Sequence, residues 1–199
     1  MFEVRIHGRG GQGVVTAAEL LSMAAFLDGA RAQAFPSFGS ERTGAPVVAF
    51  CRIAGVDIRN REPIVRPDAV LIQDATLLHQ VDVFGGLGPD GYLLVNTART
   101  FHDLGVEDVT GRVQTGHSLA VPATELALAH VGRPQPNAAM LGAFAALTGR
   151  VSLGSVLAAV RDRFPGVVAE GNVAAATVAF NLAVAGSEGS LPHRMVEGA

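Results

Sequence analysis

The chain has 199 residues, of which 49% are hydrophobic and 17% are charged, and its mean hydropathy is +0.34. This length suits one α/β domain with a sizeable core, and the apolar composition excludes disorder for the bulk of the chain. The formal net charge of −3 provides no basic surface for nucleic acid or for an anionic membrane. No uncharged apolar run reaches the roughly 18 residues of a membrane span. We therefore expect the chain to bind neither nucleic acid nor a membrane.

Strand-like and helix-like segments alternate along the chain. Apolar runs predict strands at 2–7, 31–34, 47–53, 69–73, 92–96 and 112–115, and a hairpin return at 56–58. Helical spacing predicts helices at 14–28, 76–84, 122–131, 138–148, 153–164 and 172–185. This order predicts a three-layer α/β/α fold with a largely parallel (mixed) sheet and a Rossmann-like first strand–helix unit. We place a single domain at 1–185 and a C-terminal tail at 186–199.

The single cysteine, Cys51, restricts the redox chemistry of the chain. One thiol cannot form an internal disulfide or hold an iron–sulfur cluster, and its apolar neighbours predict an inert core thiol on a strand. The six histidines are spaced without a recognisable zinc pattern, so we expect no metal site. The N-terminal residues lack the long apolar stretch of a signal peptide, and we therefore expect a cytoplasmic protein.

A glycine-rich turn lies between the first predicted strand and the first predicted helix. It fits the G-x-G-x-x-G spacing and contains Arg9, Gly10, Gly11, Gln12 and Gly13. Glycines at this place let a phosphate approach the amides of a helix N-terminus. A dinucleotide would also require an acid about 20 residues further on, and residues 30–38 contain none. The turn is therefore interpreted either as close strand–helix packing or as a site for a phosphate or carboxylate.

Polar residues follow two of the predicted parallel strands. Asp74 ends one of them and is a candidate site residue, although it also suits the N-cap of the next helix. Asn96 and Thr97 end the next strand in the same way. Because the carboxyl ends of parallel strands meet at one edge, these residues are expected to line one crevice, which is a ligand site or a subunit contact.

The segment from Phe35 to Pro46 combines aromatic, charged, glycine and proline residues within twelve positions. One interpretation is a surface loop, in which an adjacent Glu–Arg pair contributes under about 1 kcal/mol. The other is an interface or an active-site wall, where Phe and Arg are favoured contact residues. The candidate residues of this segment are Phe35, Phe38, Glu41, Arg42 and Thr43.

These motifs together resemble the gamma subunit of pyruvate and related 2-oxoacid:ferredoxin oxidoreductases. The resemblance rests on residues 7–13, 16–19, 32–36, 41–46, 122–124, 137–142 and 172–180, and it covers the chain from residue 3 to about 185. Thr43 departs from the family, which usually carries a second Arg there. The chain is similar, more loosely, to the corresponding subunit of indolepyruvate oxidoreductases.

The resemblance implies a multisubunit enzyme that converts a 2-oxoacid and coenzyme A to acyl-CoA, CO2 and reduced ferredoxin or another acceptor. It implies that thiamine diphosphate, Mg²⁺ and [4Fe-4S] clusters are held by partner alpha, beta and delta (ferredoxin-like) subunits. This chain would then be a structural and substrate-access subunit, inactive alone and without catalytic residues of its own. The glycine turn would contact coenzyme A phosphate or a partner, and the 35–46 segment would line the access route or an interface.

A second hypothesis from a different class is a free-standing Rossmann-like module that binds a nucleotide or an acyl-CoA without any partner. The two hypotheses differ in a simple property, because only the free-standing module is expected to be a stable ligand-binding monomer. The sequence leaves open which 2-oxoacid is used and whether the final acceptor is ferredoxin or NAD.

Overall fold

The computed structural model describes residues 1–37 and 43–188. Its strands are β1 Phe2–Arg9, β2 Arg31–Pro36, β3 Pro46–Ala54, β4 Ala69–Ile72, β5 Tyr92–Asn96 and β6 Ser118–Val121. Its helices are α1 Val14–Leu27, α2 Glu107–Thr110, α3 Ala123–Val131, α4 Asn137–Thr148, α5 Leu153–Arg163 and α6 Gly166–Glu188, with a short 3-10 helix at Ala75–His79. The α/β class with a mixed sheet is therefore confirmed.

The six strands form one sheet in the order β2-β3-β1-β4-β5-β6. β1, β4, β5 and β6 run parallel, whereas β3 pairs antiparallel with both β1 and β2. The chain thus passes from β1 through α1 to β2, and β3 is inserted between the two. The first strand–helix unit differs in this from a Rossmann unit, whose second strand lies directly beside the first.

Four of the predicted elements differ from the structure. No strand forms at 56–58, because β3 already has a partner on each side. The segment 112–115 lies in turns between Gly111 and Gly116, and the strand follows at Ser118–Val121. The helix expected at 76–84 is reduced to the 3-10 helix. The last helix begins before the predicted start, at Gly166, because the carbonyl of Pro165 already accepts from the Val168 amide (3.2 Å).

The two faces of the sheet have different covers. α1, α3, α4, α5 and α6 pack on one face around apolar side chains such as Ile6, Leu71 and Phe144. The other face is covered by the 3-10 helix and by loops, whose side chains pack on Val70, Ile72, Leu93 and Val95. The third layer therefore exists, but the 3-10 helix and loops form it instead of the helices that the alternation predicted.

Cys51 and α6 belong to the helix-covered core. Cys51 is fully buried, and burial raises the pKa of its thiol to about 12, as expected of an inert core thiol. The stretch Gly166–Gly186 of α6 is long and apolar enough, by length and composition, to cross a membrane. In this domain the same helix packs against α3, α4 and α5, with buried Ala175, Ala176 and Ala179.

Candidate functional site

The carboxyl ends of the four parallel strands meet at one edge of the sheet, and hydrogen bonds connect them. Gln73, directly after β4, donates from Nε2 to Asn137 Oδ1 (3.0 Å). Asn96 Nδ2 donates to the Gln73 carbonyl and to Thr124 Oγ1, at 2.7 Å each. Asn96 Oδ1 in turn accepts from the Thr124 amide (3.0 Å) at the start of α3. Gln73 and Asn96 therefore join the ends of β4 and β5 to the starts of α3 and α4 through polar side chains.

Arg9, at the end of β1, is held by the protein itself. Its Nε donates to Asp74 Oδ2 (3.1 Å), Nη1 to the Gly44 carbonyl (3.0 Å), and Nη2 to Thr76 Oγ1 (2.6 Å) and Gln80 Oε1 (2.7 Å). The side chain is 22% exposed. Because most of its donors have acceptors, Arg9 fixes the glycine turn to the end of β4 and offers little to an anion.

Asp74 is the centre of this arrangement. It caps the 3-10 helix, because its side chain accepts from the Thr76 amide (3.0 Å), and it also accepts from Gln12 Nε2 (2.8 Å). Burial alone would raise the pKa of Asp74, but hydrogen bonds from Thr76 and Gln12 and the charge of Arg9 outweigh it. The net effect is a lowered pKa, so the carboxylate stays ionised beside Arg9.

The glycine turn lies against the residues that end the 35–46 segment. Gly10 forms a bridge with Thr43; its amide donates to the Ala45 carbonyl (2.9 Å), and its carbonyl accepts from the Gly44 amide (3.0 Å). Gly11 and Gly13 have φ angles of +95° and +74°, which explains glycine at both positions. The two segments singled out in the sequence are therefore adjacent in space.

The remaining candidate residues of the 35–46 segment do not lie against the glycine turn in the described part of the chain. Phe35 is part of β2, where its ring packs on Phe50 at 5.1 Å between centroids and lies 5.0 Å from the Arg52 guanidinium carbon. It is half-buried in the loop-covered face, so the strand extends further into the segment than the predicted loop allowed. Phe38, Glu41 and Arg42 lie outside the described residues.

A cavity of ≈ 390 Å³ opens beside the glycine turn. The turn and the first residues of α1 form one wall. The rest of the lining includes Gln135 and Asn137 at the start of α4 and Arg163 and Phe164 at the end of α5. Gln135, Asn137 and Arg163 were missed as candidates because each follows the glycine turn by more than 100 residues. Only the family-like segment 137–142 gave a signal for one of them.

The residues present do not fit an iron–sulfur cluster. The one thiol of the chain, that of Cys51, is completely buried and has a raised pKa, so it is neither accessible nor ionised. Within 1–37 and 43–188, no group of three or more His, Cys, Asp or Glu side chains is placed to hold a metal ion. What the edge offers is backbone amides, carboxamides and arginine, which recognise anions and other protein chains.

Fold and site together define an α/β domain whose strand-end edge carries backbone amides, carboxamides and arginine, and comparisons with known proteins show the family of this domain. The model of the pyruvate ferredoxin/flavodoxin oxidoreductase family matches residues 3–182. The chain is 48% identical to pyruvate synthase subunit PorC of Methanothermobacter marburgensis over 180 residues, covering 90% of this chain and 96% of the relative. It is 46% identical to the pyruvate/ketoisovalerate oxidoreductases common subunit gamma of Thermococcus kodakarensis over 184 residues, covering 92% and 98%.

A solved structure agrees with these relatives. The crystal structure of pyruvate oxidoreductase subunit PORC from Thermotoga maritima superposes with a TM-score of 0.75 at 37% identity, over 90% of this chain and 95% of that one. The chain belongs to the pyruvate ferredoxin/flavodoxin oxidoreductase family, as a gamma subunit of a 2-oxoacid:ferredoxin oxidoreductase. The expected family and function are thereby confirmed.

Proposed function

We propose that this gamma subunit forms the wall along which coenzyme A approaches the reaction centre of a cytoplasmic 2-oxoacid oxidoreductase. Partner alpha, beta and delta subunits would hold thiamine diphosphate, Mg²⁺ and [4Fe-4S] clusters. When bound there, the thiamine would supply the decarboxylation chemistry and the clusters would carry the electrons to ferredoxin or another acceptor. The residues of this chain would bind and orient coenzyme A and contact the partner chains.

The observation that carries this proposal is the meeting of the glycine turn with Thr43–Ala45 at the carboxyl edge of the sheet. Ligands of open α/β sheets bind outside the carboxyl ends of the strands. The turn faces a cavity that has helix amides and Arg163 in its lining, and such groups recognise phosphate. Coenzyme A carries a pyrophosphate and a 3′-phosphate, so it supplies the groups that this edge would bind.

An apolar stripe on α1 supports a partner chain over the free-standing module. Met23, Phe26 and Leu27 lie at i, i+3 and i+4 and are 36%, 62% and 50% exposed. This spacing puts them on one face of the helix. Large apolar side chains grouped in this way mark a protein contact more often than a free surface.

Reconstitution of the complex with and without this chain tests the proposal. We expect the chain to copurify with the other subunits, to show no activity alone, and to be required for acyl-CoA formation. Arg9→Ala should raise the apparent KM for coenzyme A by loosening the turn, while decarboxylation of the 2-oxoacid without coenzyme A continues. Arg31→Ala is the matched control, because Arg31 forms an exposed ion pair with Asp57 at the opposite end of the sheet.

Two results would refute the proposal. One is a stable monomer that binds coenzyme A or a nucleotide and does not associate with the other subunits, as the free-standing module would. The other is an intact complex in which Arg9→Ala leaves the dependence on coenzyme A unchanged. Loss of copurification in the Arg9→Ala variant alone would instead place the turn at the subunit contact.

A further inference from the structure

β2 is the outermost strand on its side of the sheet, and no described strand pairs with its outer edge. The Ser37 amide donates to the Val48 carbonyl (2.9 Å), so every second residue from 31 to 37 bonds to β3. By alternation, the amides and carbonyls of Ala32 and Ala34 point outward. Natural sheets protect such an edge with charged residues or proline, and residues 32–35 include neither. This edge is therefore able to pair with another strand.

The free backbone groups of β2 are complementary to those of a second copy. In an antiparallel pair centred on Gln33, Ala32 of one copy and Ala34 of the other exchange both of their backbone hydrogen bonds. Shifting the register toward one end would bring Pro36, which has no N–H, opposite a free carbonyl. Shifting it toward the other end would bring Ala30 there, whose amide already donates to a carbonyl of α1 (3.0 Å). The edge therefore favours one register.

The charges of the edge are compatible with this pairing. Arg31 is the one charged residue of β2 and lies two positions from Gln33. The two copies of Arg31 would therefore stand at opposite ends of the paired segment, roughly 13 Å apart along the strands. Each keeps its ion pair with Asp57 of the same chain (3.1 Å). At the centre the two Gln33 side chains face each other, and carboxamides both donate and accept hydrogen bonds.

The helix above β2 adds an apolar contact. α1 packs on β2 and β3, whereas α4 and α6 lie over β5 and β6, so α1 is the outermost helix on the β2 side. A two-fold axis perpendicular to the sheet places the two copies of α1 side by side. The exposed Met23, Phe26 and Leu27 provide roughly 300 Å² of each copy. Together with the two β2 edges, the pair buries on the order of 1,000 Å², which is the lower range of specific interfaces.

We infer that the β2 edge and the apolar stripe of α1 form a contact between two copies of this chain, related by a two-fold axis at Gln33. The two sheets join into one, with six strands from each copy, and both α1 helices cover the junction. The inference goes beyond the proposed function, because it gives the complex two gamma subunits in direct contact. It does not depend on which co-substrate binds at the carboxyl edge.

A cysteine at the two-fold axis tests the register. Gln33→Cys places two thiols in a cross-strand pair without hydrogen bonds, whose Cα atoms lie about 4.5 Å apart, within the range of a disulfide. Mild oxidation of the full chain should give a covalent dimer that a reductant reverses. Arg31→Cys is the matched control, because its two thiols lie too far apart to join. The buried Cys51 stays inert in both variants. No covalent dimer of Gln33→Cys, or equal yields in both variants, would overturn the inference.

A charge in the apolar stripe tests the helix contact. Sedimentation of the full chain should show a dimer, and Phe26→Asp should raise its dissociation constant at least about thirtyfold, as expected for a central interface residue. Val65→Asp is the matched control, since Val65 is 73% exposed in the loop between β3 and β4 on the other face of the sheet. A chain that stays monomeric without any substitution, or equal effects of the two substitutions, would overturn the inference.

The reconstituted complex separates a second copy from a different subunit as the occupant of this surface. Cross-linking of Gln33→Cys between two gamma subunits within the complex would support the inference. A complex in which Gln33→Cys does not cross-link, while Phe26→Asp loses another subunit, would assign the surface to that subunit and overturn it. Neither result changes the dependence on coenzyme A, so failure of this inference is distinguishable from failure of the proposed function.

Discussion

The two faces of the sheet are buried in different ways. Toward the helices, β1 and β3 present Val4, Ile6 and Cys51, all of them fully buried against apolar residues. Toward the loops, the same two strands present Arg5 and Arg52, which are 8% and 1% exposed. Alternation along a strand separates these two sets, so one pair of strands supports both covers.

The buried arginines bind the backbone of the loops. Arg52 donates to the carbonyls of Asn60 (3.1 Å) and Glu62 (2.6 Å) and pairs with Glu3 (2.7 Å). Arg5 donates through Nη2 to the carbonyls of Val83 (3.1 Å) and Gly85 (2.6 Å). A helix satisfies its own carbonyls and can be covered by apolar contact, whereas a loop brings free carbonyls that require donors. On this face the buried guanidinium groups therefore donate the hydrogen bonds that the loop carbonyls need and that a helix would have made internally.

The largest expected effect follows from this difference. Arg52→Met should lower the free energy of unfolding by about 4 kcal/mol, because it leaves Glu3 and two loop carbonyls without a donor. Urea denaturation measures the loss, and Arg31→Met is the control. The exposed Arg31–Asp57 pair should contribute under about 1 kcal/mol, so equal losses in both variants would contradict the role of burial.

On the helix-covered face, an added side-chain atom between two closely packed helices should destabilise the fold. Gly142 of α4 contacts the backbone of α6 so closely that an added Cβ would overlap the Ala176 carbonyl oxygen. Gly142→Ala should therefore destabilise the domain by about 3 kcal/mol in the same assay. Gly154→Ala in α5 is the control, because the added Cβ meets only Ser152 Oγ at 3.9 Å. There the better helix former should stabilise by up to about 1 kcal/mol.

The stability of the loop-covered face should also depend on pH. Burial, together with the charge of Arg5, lowers the pKa of His7 to about 4 although Asp82 opposes the shift, so His7 is neutral when folded. Between pH 6.5 and 4 the unfolded chain binds a proton that the folded chain does not, and stability falls as pH decreases. We expect a loss of roughly 2 kcal/mol from pH 7 to 5. Unfolding of His7→Gln across this range should lack that part of the slope, and an identical slope in both proteins would exclude His7 as its source.

The smallest expected effect lies where α1 and α5 meet. Ser152 caps α5 by accepting from the Ser155 amide (3.1 Å), and its amide and hydroxyl donate to Asp28 at the end of α1 (2.6 and 2.7 Å). Ser152→Ala should cost about 1 kcal/mol. Ser37→Ala, outside the helices, gives the baseline for a serine at the surface. A loss in Ser152→Ala no larger than in this control would show that the cap contributes nothing.

Local sequence patterns predicted most elements of the fold. The strands at 2–7 and 47–53 and the helix at 14–28 follow from hydrophobic periodicity alone. The error at 56–58 arose because a strand requires a free edge to pair with, and no local pattern records that β3 is already paired on both sides. The segment 112–115 instead forms the turns that precede β6. The loop-covered layer was missed for a related reason, since its stability depends on distant arginines.

The sequence by itself determined the family, the inert thiol and the glycine turn, because each depends on residue types at short, fixed spacing. Only the tertiary structure decided that Arg9 is held by Asp74, that β3 separates β1 from β2, and that Asn137 and Arg163 join the turn around one cavity. The physical reason is that hydrogen bonds and charges act over a few ångströms of space, while the groups they connect are separated by 60 to 150 residues of chain.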